Sequence, residues 1–157
     1  MKTEVIKNKT IPAKKDPVTI ETVIVAYGAL NSATLDKLEF KDKSTILKAL
    51  RVIKRVGRDY DDFVKDLGEK LKPKDWSEVE EKRSRFAALS PAEKIEINKT
   101  VMKYNEEVET ATRDELDRVA DELTDYTHIT ASVFEQLVES NPKLTAGQIL
   151  ALQDVLC

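Results

Sequence analysis

Apolar residues recur at alternating intervals of three and four between Lys43 and Leu71, which is the spacing of a heptad repeat. The series is Ile46, Leu50, Ile53, Gly57, Tyr60, Val64, Leu67 and Leu71, and only Gly57 is not apolar. Pro73 stops the pattern, and a helix over 43–71 would be about 44 Å long. Because a compact globule of this chain length has a radius of gyration of about 15 Å, the pattern predicts an elongated molecule built on one helix.

Gly57 lowers the helix propensity inside this stripe by about 1 kcal/mol relative to alanine. A close crossing with a neighbouring helix would account for it, and a kink or hinge is the alternative. Val52, Val56 and Phe63 widen the apolar face beyond a narrow two-helix seam. The wider face favours a helical bundle over an isolated coiled coil.

Capping signals predict further helices on both sides of the long one. Thr19 can cap a helix over 18–31, although the β-branched run at its start also fits a strand. Ser90, Pro91 and Glu93 predict the start of a helix that either continues to about residue 126 or breaks near Thr110, since 112–115 form a second capping box. Helices are also expected over 76–89, after Thr130 and after Thr145, and Leu35, Leu38 and Phe40 are expected to face inward in a connector. The predicted fold is an all-α, elongated helical bundle, with residues 18–157 as a single domain and the helices at 43–72 and 91–126 antiparallel.

Residues 1–17 contain five lysines and two prolines and show no helical apolar period. This composition predicts an extended basic N-terminal arm that is either solvated or ordered by a partner. In the second case Val5, Ile6 and Ile11 would fill pockets on a neighbouring subunit.

Charge is unevenly distributed along the chain. Residues 1–74 contain 17 Lys and Arg against 11 Asp and Glu, a net charge of +6, whereas residues 75–157 contain 9 against 18, a net charge of −9. Either a basic helix packs beside an acidic one within the monomer, or the two surfaces meet different partners. The candidate basic interaction face on the long helix consists of Lys48, Arg51, Lys54, Arg55 and Arg58. It could meet a protein or contact phosphates, but no aromatic residues are interleaved among 43–58 for base stacking.

Residue types common in active sites are sparse. The chain has one histidine, His128, and one cysteine, Cys157, and it lacks both a glycine-rich phosphate loop and a Gly-x-Ser-x-Gly turn. Asp59, Asp61, Asp62 and Asp66 are close in sequence, but Asp59 and Asp61 point about 200° apart on a helix, so this group is expected to be a solvated face. We therefore expect no enzyme, catalytic residue, cofactor, metal site or small-molecule substrate. With no membrane-length apolar run and no secretory signal, a cytoplasmic location without membrane contact is expected.

The order of these features resembles small, uncharacterised helical proteins encoded by tailed bacteriophages. The shared features are a first helix at 20–30, a long basic helix ending near 60–63, a later helix containing residues 104–108 and a terminal segment at 144–156. The resemblance implies a viral, non-catalytic context, in the host cytoplasm or the virion. The sequence thus favours a non-enzymatic interaction or assembly protein that acts as a homo-oligomer or docks on a larger complex. The alternative is a nucleic-acid-binding accessory protein that uses the basic face.

Overall fold

The computed structural model describes residues 17–123 and 129–157. The α-helices in these ranges are α1 (Ile20–Asn31), α2 (Phe40–Leu71), α3 (Trp76–Ser84), α4 (Pro91–Asp117), α5 (Ala131–Glu139) and α6 (Ala146–Leu156). Short 3₁₀ helices occur at Phe86–Ala88 and Asp121–Leu123. The prediction of an all-α chain is confirmed for this part of the sequence. The arm residues Val5, Ile6 and Ile11, and also His128, lie outside the described residues.

Helix α1 is the most enclosed element, because it packs against both α2 and α6. Val23 and Ala26 have no exposed surface, and Ala29 has almost none. Small side chains let neighbouring helix axes approach closely, so these alanines bring α2 and α6 near the α1 backbone. The hydroxyl oxygen of Thr19 accepts a hydrogen bond from the Thr22 amide (3.3 Å), which is the predicted N-cap. The strand alternative for this segment is wrong.

Helix α2 begins at Phe40, three residues before the predicted start at Lys43. Asp42 lies in its first turn, where a carboxylate interacts favourably with the helix dipole. No glycine or proline interrupts 39–44, so the backbone can continue the helix toward the N-terminus. At 32 residues, α2 is about 48 Å long.

The two halves of α2 differ in burial. Its buried residues are Ile46, Ala49, Ile53 and Val56, all in the first half. In the second half Val64, Leu67 and Leu71 are only half-buried. The buried side is rotated from the predicted stripe, so that Ala49 and Val56 replace Leu50 and Gly57 at its centre. This rotation follows from the packing partner, since the alanine-rich surface of α1 accepts a small residue at position 49.

Helix α4 is unbroken from Pro91 to Asp117, so the break near Thr110 does not occur. Thr112 does not cap a new helix; its hydroxyl donates to the Glu109 carbonyl (2.9 Å) within the same helix. The helix stops well before residue 126 because the next residues pair with the start of α1. The Ile20 amide donates to the Arg118 carbonyl (2.9 Å), and the Ala120 amide donates to the Val18 carbonyl (2.7 Å).

Helices α2 and α4 run antiparallel. The Tyr104 hydroxyl donates to the Gly68 carbonyl (2.7 Å), and the Tyr104 ring lies 4.5 Å from that of Trp76, centroid to centroid. Toward the other end of the pair, Tyr60 of α2 lies near Arg113 of α4, and burial raises the pKa of the Tyr60 phenol. Apart from these contacts the α2–α4 pairing buries little apolar surface, because Ile97 is the one buried residue of α4. Helix α3 likewise has one buried residue, Val79.

Helices α5 and α6 complete the core around α1. Helix α6 follows Thr145 as predicted and starts with a complete capping box, in which both hydrogen bonds between Thr145 and Gln148 are formed. Asn141, between the two helices, accepts from the Thr34 amide (2.7 Å) and donates to the Thr34 and Leu137 carbonyls (3.0 and 2.8 Å). Asn141 therefore ties the α1–α2 loop to the end of α5. The predicted helix at 76–89 ends at Ser84 and is followed by the 3₁₀ turn.

This division of the core predicts unequal costs for truncating the two halves of α2. Ile53→Ala removes atoms from a fully buried site, and we expect the free energy of unfolding to fall by about 2–5 kcal/mol. Leu71→Ala, at a half-buried site, should cost roughly 1 kcal/mol. Urea unfolding followed by circular dichroism measures both. Equal losses of unfolding free energy in the two variants would contradict a core that contains only the first half of α2.

Gly57 is inside the helix, and a Cβ built on it meets no described atom within 4 Å. The prediction of a close helix crossing at this residue is therefore wrong. We expect Gly57→Ala to raise the free energy of unfolding by about 0.5–1 kcal/mol, since alanine loses less backbone entropy in a helix. Gly28→Ala in α1, which is equally unobstructed, is the matched comparison. If Gly57→Ala lowered the thermal unfolding temperature while Gly28→Ala did not, this account of Gly57 would be wrong.

Candidate functional site

The basic face predicted from the sequence lies on the outside of the first half of α2. Lys48, Arg51, Lys54, Arg55 and Arg58 are all exposed. At 100° per residue they lie on the side of the helix opposite Ile46 and Ile53, which are buried against the rest of the core. The structure therefore brings the five cations together on one solvent-facing surface.

These cations are not neutralised by neighbouring carboxylates. Within residues 17–123 and 129–157, none of the five forms an ion pair with an acidic side chain at 4.0 Å or less. The ion pairs that do occur lie elsewhere, as between Lys72 and Glu69 (2.8 Å) or between Arg118 and Glu115 (3.0 Å). The basic face is thus a positively charged surface in the described structure.

Two apolar side chains on the same side of α2 were missed by the sequence reasoning. Phe40 is 85% exposed, so the expectation that it turns inward is wrong, whereas Leu38 is buried and Leu35 packs partly against the core. Leu47 is 45% exposed and lies one heptad after Phe40. Phe40 is the first residue of α2, and its angular position on the helix coincides with that of the exposed cations. Its side chain therefore faces outward. The i, i+7 spacing of Phe40 with Leu47 could have revealed it.

The outer side of α4 shows the same mixture with the opposite charge. Ile95 and Met102 are 70% and 60% exposed, on the side of α4 opposite Tyr104. Glu106 and Glu109 follow on the same side and are also exposed. Ile95 and Met102 face solvent because α2 covers only the opposite side of this helix.

Arg113 follows Glu106 and Glu109 along α4 and is already paired with carboxylates. Its guanidinium Nη1 lies 3.1 Å from the Glu21 carboxylate of α1 and 4.0 Å from that of Asp117. The Glu21 carboxylate beside it raises the pKa of Arg113, so it stays charged. Arg113 therefore joins α4 to α1, and its charge is largely neutralised within the chain.

One surface cleft of the described residues has a mostly uncharged lining. The cleft between the α1–α2 loop and the α5–α6 turn has a volume of about 480 Å³ and includes one charged side chain, Lys143, in its lining. Asp59, Asp61, Asp62 and Asp66 are exposed on α2. In the described portion, no group of three or more His, Cys, Asp or Glu side chains is arranged to hold a metal ion.

Helices long and apolar enough to cross a membrane are missing from the part of the chain that the structure describes. Comparisons of this chain with models of known protein families, with curated proteins and with solved structures found no match.

Proposed function

We propose that this chain is a non-enzymatic protein–protein interaction or assembly protein, encoded by a tailed bacteriophage and associated with the virion. It acts as an oligomer or docked on a larger complex. The observation that carries the proposal is the exposure of Phe40, Leu47, Ile95 and Met102 on the outer sides of the two longest helices. Clustered apolar side chains next to charged ones are typical of surfaces that bind other proteins.

The incomplete packing around the second half of α2 also supports the proposal. Phe63 is 37% exposed there, and Leu67 and Leu71 line an open groove against α4. A heptad stripe that one neighbouring helix covers only partly favours a further helix as partner. The proposal includes a heptad-patterned bundle and a basic N-terminal arm. It also includes a phage origin, which is supported by the order of the sequence features.

The assembly function is tested by combining light scattering with affinity capture from the native source and mass spectrometry. The wild-type chain should either exceed the monomer mass or enrich a defined protein. The double variant F40S/M102S should lose that association, because two exposed apolar contacts are removed while the core is untouched. V25S/L150S is the matched control, since it changes exposed apolar residues on α1 and α6.

A monomer at every concentration, with nothing enriched over the untagged control, would contradict the assembly function. Equal loss of association in both double variants would show that the outer sides of α2 and α4 are not the surface involved.

A nucleic-acid-binding accessory function is the second candidate, favoured by one observation: the unpaired cations of α2 share their surface with an exposed ring, Phe40. Guanidinium groups neutralise phosphates, and an exposed aromatic ring can stack on a base. The net charge of −3 for the whole chain works against it.

Titration of fluorescent DNA and RNA at low salt tests this candidate. If it holds, affinity should fall steeply as salt is raised, and R51E/R55E should weaken binding at least about tenfold. K82E/K143E makes the same change in net charge at exposed lysines on α3 and in the α5–α6 turn, outside the basic face, and should bind nearly as the wild type does. No binding at low salt would exclude this function.

A further inference from the structure

Four exposed residues of α2 form a single line that combines apolar and basic side chains. We call Phe40, Leu47, Arg51 and Lys54 the α2 stripe; successive members are 7, 4 and 3 residues apart. At 100° per residue they fall within an arc of about 60°. They therefore present one edge about 21 Å long, apolar at its start and positive at its end.

A second line on α4 has the same spacing and the opposite charge. Ile95, Met102, Glu106 and Glu109, here called the α4 stripe, are also 7, 4 and 3 residues apart. All four are exposed, and they lie on the outer side of α4, away from α2. The α4 stripe is thus apolar at its start and negative at its end.

We infer that the two stripes bind each other between copies of this chain, with α2 of one copy parallel to α4 of the next. This inference rests on the proposed assembly function and names the partner as a second copy. A shift of 55 residues brings all four positions into register at once. The facing pairs are Phe40 with Ile95, Leu47 with Met102, Arg51 with Glu106, and Lys54 with Glu109.

The other arrangements of the same stripes are less favourable. In the antiparallel orientation Leu47 would still face Met102, but Phe40 would oppose Glu109 and Lys54 would oppose Ile95, which would desolvate charges without pairing them. Parallel pairing of α2 with α2 of a second copy would bring Arg51 and Lys54 near their own equivalents, and like charges in an interface repel. The parallel α2–α4 contact avoids both costs.

The position after the stripes is also compatible with this contact. Continuing the register places Arg58 opposite Arg113, which would be repulsive if both were unpaired. Arg113, however, is already held by Glu21 at 3.1 Å and by Asp117 at 4.0 Å. Its charge is therefore screened on the side of its own chain.

This contact joins two different surfaces, so it is heterologous, and the resulting dimer keeps one free stripe at each of its two ends. Heterologous contacts close into rings or extend into filaments, whereas an isologous dimer would stop at two copies. The contact thus predicts a mass that rises beyond the dimer with concentration.

Charge exchange tests the register directly, with sedimentation velocity of nuclease-treated protein as the measurement. R51E/K54E and E106K/E109K should each weaken self-association at least roughly tenfold, because like charges then face each other. Mixing the two variants should restore association, since the acidic α2 stripe of one can bind the basic α4 stripe of the other. The single chain R51E/K54E/E106K/E109K should also self-associate.

K82E/K143E is the control, because it changes net charge as R51E/K54E does and both lysines lie away from the two stripes, on α3 and in the α5–α6 turn. Unchanged far-ultraviolet circular dichroism verifies that each variant is folded. Self-association that neither charge reversal weakens, or that mixing fails to restore, would overturn the stripe contact while leaving the assembly function standing. A wild-type monomer at all concentrations would also overturn it, and capture of another protein from the native source would then still support the assembly function.

Discussion

The described structure depends on α1 being enclosed between α2 and α6. Val23, Ala26 and Ala29 give α1 buried surface on more than one side, and the small alanine side chains allow its neighbours to approach closely. The start of α1 also pairs through backbone hydrogen bonds with the residues after α4, which fixes where α4 ends. The long helix α2 is the largest element, but it is α1 that determines which side of α2 is buried.

The core assembled in this way contains no buried polar or charged side chain among the described residues. Polar chemistry is therefore confined to the surface, where charge and exposed apolar groups are the features available for recognition. Burial of apolar side chains around α1 stabilises the fold, whereas the outer sides of α2 and α4 contribute little to the free energy of unfolding. Substitutions on those outer sides can therefore alter binding with small effects on folding, because surface changes seldom exceed about 0.5 kcal/mol.

Structural features set by local hydrogen bonds were predictable from the sequence, whereas features set by tertiary packing were not. Thr19, Ser90 and Thr145 cap helices as expected, because a cap needs only the hydrogen bonds of its own first turn. The rotation of α2 toward Ala49 could not be read from an apolar period, since alanine carries a weak hydrophobic signal and its burial depends on α1. The end of α4 likewise depends on residues nearly 100 positions earlier. At the candidate site the cations were predicted, but the exposure of Phe40 was not, because an aromatic residue in a connector is ordinarily expected to be buried.

The charge distribution follows from the same separation of core and surface. If the basic half of the chain simply neutralised the acidic half within one molecule, Arg51, Lys54 and Arg58 would have carboxylate partners on α4. The described inter-helix ion pair instead joins Arg113 to Glu21, with each charge on the segment of opposite overall sign. The cations of α2 and the carboxylates at 106 and 109 are thus left exposed on opposite sides of an antiparallel helix pair. Among the described residues these two surfaces cannot meet within one chain, because they lie on opposite sides of the helix pair, and this is why the proposed contact joins two molecules.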